Sequence, residues 1–413
     1  MIDLKKKFLI YGYGISGKSV SKYLNNKNSN YCIYDDYKII TNAKNVISKE
    51  TLTKKINHFD YIVISPSIKI HKTHILYKFK KSIIIDLDFL SNELSNQVVI
   101  GVTGTEGKST TCQYLNQTLS TKYQSTVIGN FGNTILDESN LEKKLDKLDF
   151  IIIELSSYQL TKLRYLKLSY AIITNIYSDH LSYHGSFTNY IKAKFRITKF
   201  LHKKGILILN NESFLKHANN LDKIDNDKIF RIDIKKNRKN TLEDSIEDLN
   251  SQLIKKIVQK INKNISIKEL SFKSLIFRNQ LIRKTKNLKI YNDSKCTNIE
   301  NAILKNNLIA SKNKILILGG KPKPNDIKNI IKDTTVLIFG PFSKKITKNI
   351  NFYNCKYYEF KSLHNLLLFI KLINKDYKFD NILFSPGGES FDLYKDFMER
   401  GFAFNNLIKK IKL

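Results

Sequence analysis

Several residue types are scarce or absent in this chain of 413 residues. Tryptophan is absent, and there are only 5 prolines and 4 cysteines. The cysteines, at positions 32, 112, 296 and 355, lie far apart and form no CxxC pair. This spacing argues against a zinc ribbon and against a disulfide scaffold, and it favours a reducing compartment.

Long apolar runs are also lacking. No stretch approaches the roughly 18 apolar residues that a membrane span needs. The N-terminal segment MIDLKKKFLIYGYG passes from lysines into a short strand-like run, without the apolar region and cleavage site of a secretory signal. We therefore expect a cytoplasmic protein that does not associate with a membrane.

Acidic residues are few relative to basic ones. Lys and Arg total 70 against 37 Asp and Glu, which gives a formal net charge of +33. Such a charge indicates nucleic acid or another anionic surface as a partner. However, the lysines are dispersed without a separate basic block, which favours a composition bias at solvent-facing positions, and we expect no nucleic-acid partner. Hydrophobic residues make up 42% of the chain, so a disordered protein is excluded.

Short runs of Ile, Val and Leu alternate with helix-length amphipathic stretches. This pattern is typical of parallel strands in βαβ units and predicts an α/β protein with several doubly wound sheets. The candidate strands are residues 7–11, 31–34, 61–65, 82–87, 98–102, 150–154, 170–174, 206–209, 288–291, 315–318, 336–339 and 382–385.

Two glycine-rich loops each follow a candidate strand. Residues 12–17 (GYGISG) form a GxGxxG motif, and Asp35 and Asp36 follow about 20 residues later, where a ribose contact is expected. This motif predicts a nucleotide or diphosphate site but does not distinguish NAD from another diphosphate. A tight turn without a ligand is the alternative.

The second glycine-rich loop has the sequence GVTGTEGKST at residues 101–110. Its backbone N–H groups can cradle phosphates, while Lys108 can reach the β- and γ-phosphates and Ser109 can bind Mg²⁺. Val102 departs from the standard P-loop pattern, but the GKST segment directly after a strand still predicts an ATP site.

Further polar residues lie at the ends of candidate strands, where ligands bind in open parallel sheets. Glu154 ends one strand and is well placed for Mg²⁺, and His180 follows the next strand. A structural role is the alternative for Glu154. Taken alone, a His such as His180 is usually structural, and a Lys such as Lys194 usually lies on a solvated face. Three more loops follow strands later in the chain: YNDSKCTN at 291–298, GGKPK at 319–323 and SPGGESFD at 385–392.

Together and in this order, these motifs resemble the Mur ligases. The segments GVTGTEGKST, IIELSSYQL, NIYSDHLSYHGSFTNYIKAKFRI, YNDSKCTN, LGGKPK and SPGGESFDLYKDFMERG carry the resemblance. ELSSYQL and NDSKCTN are most similar to the branch that adds D-glutamate. The resemblance covers nearly the whole chain and is weakest in residues 222–268.

The resemblance implies three α/β domains. These are an N-terminal Rossmann-like domain for the UDP-substrate (1–92), a central P-loop ATPase-type domain with a mostly parallel sheet (93–274) and a C-terminal Rossmann-like domain for the amino acid (275–413). The implied GxGxxG ligand is then a UDP diphosphate and not NAD.

The implied activity is ATP-dependent addition of D-glutamate to UDP-N-acetylmuramoyl-L-alanine, through an acyl phosphate, in peptidoglycan precursor synthesis. The implied cofactors are two Mg²⁺ ions and a carbamylated lysine, and we expect a monomer. One alternative is another Mur-like ligase such as a folylpolyglutamate synthase, against which NDSKCTN and the N-terminal GxGxxG segment argue. The other is a non-catalytic basic protein that binds nucleotides or nucleic acid.

The resemblance also assigns roles to individual residues. The implied catalytic residues are Lys108, His180, Lys194 and Lys295. The implied ATP contacts are Gly104, Thr105, Glu106, Gly107, Lys108, Ser109, Thr110, Arg278 and Asp293. The implied UDP-substrate contacts are Gly14, Ile15, Ser16, Asp35, Asp36 and Asn130. The implied D-glutamate contacts are Thr297, Lys323, Ser390 and Phe397. The implied metal ligands are Ser109, Glu154, His180 and Lys194 as its carbamate.

The chain departs from the family pattern at a few positions. Glu106 replaces an Asn or similar polar residue, Phe277 a His, Gln280 a Glu, Ser182 an Asp and Ser67 a Gly. The family's adenine-binding segment is not recognisable, and Asn250 is only a candidate for it. We expect an active enzyme with an altered adenine pocket.

Overall fold

The computed structural model describes residues 1–129, 136, 141–211, 225–233, 242–262, 275–311, 313–323 and 329–411. The chain divides into two compact units. The first unit comprises Met1–Tyr177, Tyr183–Asp233 and Ile254–Leu270, and the second comprises Ser178–Ser182, Ile234–Leu253 and Ser271–Leu413.

The first unit begins with a four-stranded parallel sheet. Its strands are β1 (Lys7–Tyr11), β2 (Asn30–Tyr34), β3 (Tyr61–Ile64) and β4 (Ile83–Ile84), in the order β2-β1-β3-β4. The helices in this part of the chain are α1 (Ile15–Asn26), α2 (Lys49–Lys55) and α3 (Leu90–Glu93). β2 and β3 lie on opposite sides of β1, so the topological switch point of this sheet lies between β1 and β3.

A six-stranded parallel sheet follows in the first unit. Its strands are β5 (Val98–Thr103), β6 (Ser125–Gly129), β7 (Phe150–Glu154), β8 (Leu168–Ile173), β9 (Leu201–Asn210) and β10 (Ile229–Ile232), in the order β10-β9-β8-β5-β7-β6. The helices in this part of the chain are α4 (Lys108–Leu119), α5 (Leu141–Leu145), α6 (Ser157–Lys162), α7 (Leu181–His184), α8 (Phe187–Phe195) and α9 (Leu242–Ile261). Here the switch point lies between β5 and β8, where the chain again turns to opposite sides.

The second unit contains a six-stranded sheet. Its strands are β11 (Gln280–Lys284), β12 (Lys289–Asn292), β13 (Lys314–Gly319), β15 (Thr335–Phe339), β17 (Tyr357–Phe360) and β18 (Asn381–Gly387), in the order β11-β12-β18-β13-β15-β17. Only the β11–β12 pair in this sheet is antiparallel. A separate two-stranded sheet joins β14 (Asn329–Lys332) and β16 (Ile350–Tyr353). The helices are α10 (Ile299–Leu308), α11 (Ser343–Lys348), α12 (Leu363–Tyr377) and α13 (Phe397–Ile411).

Apolar residues of the strands form the cores of both units. In the first unit, one cluster of buried residues includes Phe8 and Ile10 of β1 together with Ile151 and Leu207 of the six-stranded sheet. These strands are continuous apolar runs because both faces of a parallel sheet are covered. The α/β class with mostly parallel sheets is therefore confirmed. The domain boundaries at 92/93 and 274/275 stay predictions.

One predicted strand, at residues 82–87, is wrong over most of its length. Only Ile83 and Ile84 pair with β3, and Asp86–Phe89 forms a 3₁₀ helix. The physical reason is local hydrogen bonding, because Asp86 Oδ1 accepts from Leu87 N at 3.0 Å and Asp88 Oδ2 accepts from Ile85 N at 3.0 Å. Such bonds between Asp side chains and the nearby backbone favour a turn over a strand.

Six strands were missed by the sequence analysis. They are β6, β10, β11, β14, β16 and β17. Four of them lie at sheet edges, and the other two form the two-stranded sheet. Edge strands are partly exposed, so their sequences carry fewer consecutive apolar residues. None of the described helices is both long and apolar enough to cross a membrane.

Candidate active site

The glycine-rich loop between β5 and α4 is held in place by the end of β8. Thr105 N donates to Asn175 O at 3.0 Å, and Glu106 N donates to Asn175 Oδ1 at 2.9 Å. In return, Thr174 Oγ1 donates to Glu106 O at 2.7 Å. The loop therefore lies at the switch point of its sheet, where a ligand is expected.

The predicted ATP residues 104–110 form this loop and the first turn of α4. Gly107 is the N-cap of α4, and Ser109 is buried in its first turn. Lys108 Nζ donates to Thr105 O at 2.8 Å, so the ammonium group lies over its own loop. A loop of backbone N–H groups ahead of a helix N-terminus, with a lysine beside it, is suited to bind a polyphosphate.

Two predicted site residues from other elements lie next to this loop. Glu154 ends β7, pairs in register with Val102 of β5 and is only 2% exposed. Lys194 on α8 is also 2% exposed, and its Nζ donates to Gly104 O at 2.7 Å. Its ammonium lies 4.7 Å from the centroid of the Tyr190 ring. Lys194 is thus buried against residues 104–110 (the phosphate loop) and is not a solvent-facing lysine.

The oxygen donors beside this loop fit magnesium. Glu154 offers a carboxylate and Ser109 a hydroxyl, which are hard ligands of the kind that Mg²⁺ prefers. Among the described residues, no group of three or more His, Cys, Asp or Glu side chains could hold a metal ion. The carboxylate and hydroxyl donors therefore fit a Mg²⁺ ion that is also bound through ATP phosphates and water.

The acidic pair near the GxGxxG loop is fixed by local hydrogen bonds. Asp35 Oδ2 accepts from Tyr13 N at 2.7 Å, and Oδ1 accepts from Tyr37 N at 2.9 Å and Lys38 N at 3.0 Å. Burial alone would raise the pKa of Asp35, but these backbone N–H groups hold it below its usual range. Asp36 accepts from the hydroxyl of Tyr11 at 2.5 Å. Both carboxylates therefore lie at the end of β2, adjacent to the glycine loop.

The N-terminus of α1 carries the other predicted UDP-substrate residues. Gly14 is the N-cap, and Ile15 is 68% exposed at the first helical position. Ser16 Oγ donates to Asp86 Oδ2 at 2.8 Å. Burial raises the pKa of Asp86 above its usual range. Asn130 lies outside the described residues.

In the second unit, three predicted loops follow the neighbouring strands β12, β18 and β13. Lys295 Nζ lies 3.9 Å from the centroid of the Phe397 ring, which brings two predicted residues together. Thr297 precedes Asn298, the N-cap of α10, and Ser390 is buried after β18. The carboxyl ends of adjacent parallel strands thus gather the motifs that the sequence singled out.

Arg400 is a residue of this region that the sequence analysis missed. It is fully buried, and its Nη2 donates to Ser294 O at 2.7 Å while Nη1 donates to Gly388 O at 2.9 Å. Burial lowers the pKa of Arg400 to about 10. One guanidinium therefore joins the loop after β12 to the loop after β18. Arg400 lies in the FMERG segment after the SPGGES motif, but in so basic a chain a single Arg gives no signal of its burial.

Asp293 and the turn before β11 are held inside the second unit. Asp293 is 1% exposed and accepts from Lys305 Nζ at 2.7 Å and from Ser385 Oγ at 2.7 Å. Arg278 lies between two residues with positive φ, Phe277 at 56° and Asn279 at 52°. Because Asn279 N donates to Asp293 Oδ1 at 3.2 Å, the turn that carries Arg278 is tied to Asp293.

Two departures from the family pattern have structural roles in this turn. Phe277 is 1% exposed, and its ring lies 4.8 Å from that of Phe402, edge to face. Gln280 Oε1 accepts from Phe277 N at 3.2 Å. Both residues therefore shape the backbone before β11.

A small cavity of about 240 Å³ lies in the second unit beside Lys323 and His180. Lys323 Nζ contacts Asp179 Oδ1 at 2.6 Å, and Asp179 Oδ2 lies 3.4 Å from His180 Nε2. Burial would raise the pKa of Asp179, but the charges of Lys323 and His180 hold it below its usual range. The other three predicted D-glutamate contacts, Thr297, Ser390 and Phe397, are not among the described residues that line this cavity. The cavity is lined by charged groups of both signs, and its volume is large enough for a small zwitterion.

Comparison with known proteins agrees with this geometry. The model of the Mur ligase middle domain matches residues 102–275. A UDP-N-acetylmuramoylalanine–D-glutamate ligase of Francisella tularensis subsp. tularensis is 30% identical over 427 residues, covering 98% of this chain and 96% of that protein. The chain belongs to the Mur ligase family. Two further proteins with the same name also match 98% of this Mur ligase. The one from Fervidobacterium nodosum is 29% identical over 429 residues and is covered over 99% of its length. The one from Petrotoga mobilis is 26% identical over 449 residues and is covered over 100% of its length.

Solved structures match this Mur ligase in fold. The MurF ligase of Thermotoga maritima in complex with ADP aligns with a TM-score of 0.59 at 14% identity, covering 99% of this chain and 100% of that one. A pseudomurein peptide ligase type C from Methanothermus fervidus aligns with a TM-score of 0.54 at 16% identity, covering 98% and 100%. Both likenesses confirm the multi-domain α/β fold of the family.

Proposed function

We propose that this Mur ligase joins D-glutamate to UDP-N-acetylmuramoyl-L-alanine with the consumption of ATP, in peptidoglycan precursor synthesis. The observation that carries the proposal is the phosphate loop with Lys194 buried against it and Glu154 at the neighbouring strand end. The relatives named for this reaction, which match nearly the whole chain, supply the choice of substrates.

The reaction needs ATP because a carboxylate is a poor electrophile. An oxygen of the L-alanine carboxylate attacks the γ-phosphorus of ATP, the bond to the β-phosphate oxygen breaks, and ADP leaves. The amine of D-glutamate then attacks the acyl-phosphate carbonyl and loses a proton, and phosphate leaves from the tetrahedral intermediate. Catalysis therefore requires positive charge around the transferred phosphoryl group.

The residues of the phosphate loop are suited to the first step. The backbone N–H groups of residues 104–110 and the ammonium of Lys108 bind the ATP phosphates. Ser109 and Glu154 would hold magnesium, which neutralises the negative charge of the phosphates when it is bound. Arg278 and Asp293 are proposed to contact ATP as well. Because Asp293 is bonded to Lys305 and Ser385, its carboxylate is already fixed in orientation.

Lys194 is proposed to act as a carbamate. Carbamylation converts an ammonium into an anionic oxygen ligand for a hard cation. The carbamate nitrogen keeps one N–H, so the hydrogen bond from Nζ to Gly104 O is compatible with the modification. His180 is proposed as a ligand of a second magnesium ion.

D-Glutamate binding is proposed for Thr297, Lys323, Ser390 and Phe397, with Lys295 as a catalytic residue. The contact of Lys323 with Asp179 supports this role, because the same ammonium can exchange one carboxylate for another. The uridine nucleotide is proposed to contact Gly14, Ile15, Ser16, Asp35, Asp36 and Asn130. The ligase is proposed to act as a monomer in the cytoplasm.

The test is a panel of amino acids in a phosphate-release assay with purified protein, ATP, Mg²⁺ and UDP-N-acetylmuramoyl-L-alanine. We expect release with D-glutamate but not with L-glutamate, L-lysine or D-alanyl-D-alanine, and a product mass that contains one glutamate. Turnover of another amino acid in place of D-glutamate would show that the substrate assignment is wrong. Tetrahydrofolate with L-glutamate tests the folylpolyglutamate alternative.

A further inference from the structure

Lys162, the last residue of α6, is a buried cation with neutral hydrogen-bond partners. Its side chain is 9% exposed. Lys162 Nζ donates to Pro66 O at 2.5 Å and to the hydroxyl of Tyr183 at 2.5 Å. The ammonium also lies 5.1 Å from the centroid of the Tyr183 ring. All three groups belong to the first unit, and the sequence motifs gave Lys162 no role.

In the part of the chain that the structure describes, no carboxylate forms an ion pair with Lys162. A buried ammonium without an opposite charge is costly, and burial lowers the pKa of Lys162 to about 8. At neutral pH the group still carries its charge for most of the time. A buried cation that no described carboxylate neutralises is a candidate for binding an external anion.

The position of Lys162 indicates which site it serves. Pro66 lies in the loop that follows β3, and β1 and β3 flank the topological switch point of the first sheet. In the same loop, Ile68 lies close to the glycine loop, since a Cβ added at Gly12 would be 3.4 Å from Ile68 Cδ1. Lys162 therefore contacts a loop that borders the crevice where a nucleotide is expected to bind.

A second lysine lies on the same tyrosine. Lys69 Nζ is 5.9 Å from the centroid of the Tyr183 ring. An ammonium has three N–H donors, and Lys162 uses two of them on Pro66 O and the Tyr183 hydroxyl. One donor remains, which can be given to an oxygen of an incoming anion.

We propose that Lys162 binds the diphosphate of the UDP-sugar substrate, with Lys69 as a second cation of the same subsite. The inference rests on the proposed function for the identity of that substrate. Of the substrate's two anionic groups, the diphosphate is favoured over the L-alanine carboxylate. A nucleoside at the glycine loop of β1 brings its diphosphate to the crevice between β1 and β3, where Lys162 touches the loop after β3.

The test compares Lys162→Gln with the unmodified protein. Glutamine keeps N–H donors for Pro66 O and removes the charge. We expect affinities for UDP and for UDP-N-acetylmuramoyl-L-alanine, measured by calorimetry, to fall about tenfold or more. The KM for ATP should stay within about twofold, and Lys162→Arg should retain most of the affinity. The exposed Lys167→Met is the matched control and should bind like the unmodified protein.

A salt titration separates a charge contact from a purely structural role. If Lys162 meets the diphosphate, the affinity of Lys162→Gln for UDP depends less steeply on KCl concentration than that of the unmodified protein. Equal affinities and equal salt slopes overturn the inference. Loss of affinity for the complete substrate but not for UDP also overturns it, since the anion is then the carboxylate. Failure of the unmodified protein to bind either ligand contradicts the proposed function instead.

Discussion

Several charged residues buried in this ligase have defined hydrogen-bond partners, and those partners decide how a substitution acts. Lys194 donates to a carbonyl of the phosphate loop, and Arg400 donates to carbonyls of two different loops. Among the described residues, the donors to Asp88 are all backbone N–H groups. A substitution at such a position removes a charge and also leaves partner groups unsatisfied.

Lys194→Ala is expected to lower kcat by about a hundredfold or more, because it removes the proposed carbamate from the phosphate loop. Added formate or acetate should restore part of the activity, since a small carboxylate can enter the space and supply the missing anionic oxygen. The measurement is phosphate release with and without the added carboxylate. The exposed Lys192→Ala on the same helix is the control. Full activity of Lys194→Ala without rescue would remove the carbamate proposal.

Asp88 is expected to make folding stability depend on pH. It is fully buried, and burial raises its pKa to about 6 from an ordinary value of 3.8. Below about pH 4 the carboxyl is protonated in both the folded and the unfolded chain. Between about pH 4 and pH 6 the unfolded chain loses this proton first, so the contribution to stability decreases as the pH rises, by at most about 3 kcal/mol.

Urea unfolding of the unmodified protein and of Asp88→Asn across this pH range checks the expectation. Buried Asp86 also has a raised pKa and contributes in the same direction in both proteins. The difference between the two stability curves therefore reports on Asp88. As the pH falls, the free energy of unfolding of the unmodified protein should increase relative to that of Asp88→Asn. Parallel curves would contradict the raised pKa of Asp88.

At this scale, the sequence predicted residues in motifs better than residues in isolation. The placement of Lys108 and Ser109 at the start of a helix after a strand and a glycine-rich loop was predictable, because the GKST motif has that context, whereas their roles toward ATP stay predictions. Lys162 and Arg400 carry no such context, because in a chain with 70 basic residues a single Lys or Arg is indistinguishable from a solvent-facing one. Their burial depends on which loops the fold brings beside them.

Among the elements, the phosphate loop depends most on its neighbour. The backbone of this loop is bonded to the end of β8 through Thr174 and Asn175. The loop is thus held by a strand that lies about 70 residues away along the chain. Its conformation should therefore respond strongly to any atom inserted between it and Thr174.

Gly104→Ala and Gly107→Ala are expected to differ in stability for this reason. At Gly104, with φ of +153°, an added Cβ would lie 1.9 Å from Thr174 Oγ1, whereas at Gly107, with φ of +77°, nothing lies within 4 Å. Gly107→Ala then costs only backbone strain, about 1–2 kcal/mol. Gly104→Ala adds a steric clash and should cost about 3 kcal/mol or more. Urea unfolding measures both, and equal losses would show that Thr174 does not constrain the loop.

Strands with a run of consecutive apolar residues were the most predictable. The bounds of β1 and β7 agree with the sequence analysis residue by residue, since each contains four consecutive apolar residues. By contrast, β17 has the sequence YYEF and lies at a sheet edge with most of its residues exposed. Edge strands are stabilised by pairing on one side only, so hydrophobic pattern alone does not identify them.

At the scale of the whole molecule, the net charge of +33 is not concentrated in any one basic block of the sequence. Three of the lysines with a proposed role would meet specific anions: phosphates at Lys108, a carboxylate at Lys323 and a diphosphate at Lys162. The remaining positive charge is dispersed. It should attract any polyanion weakly, by counterion release, and should not create a selective nucleic-acid site.

Duplex DNA is therefore expected to bind only at low salt. In a filter-binding assay, binding at about 50 mM KCl should be lost at about 200 mM KCl, and duplexes of different sequence should compete equally. At the higher salt, saturating DNA should leave the rate of phosphate release unchanged, because the ligase site is occupied by its own substrates. Tight DNA binding at the higher salt, accompanied by inhibition, would instead favour the nucleic-acid-binding alternative, since only a concentrated basic surface resists that much screening.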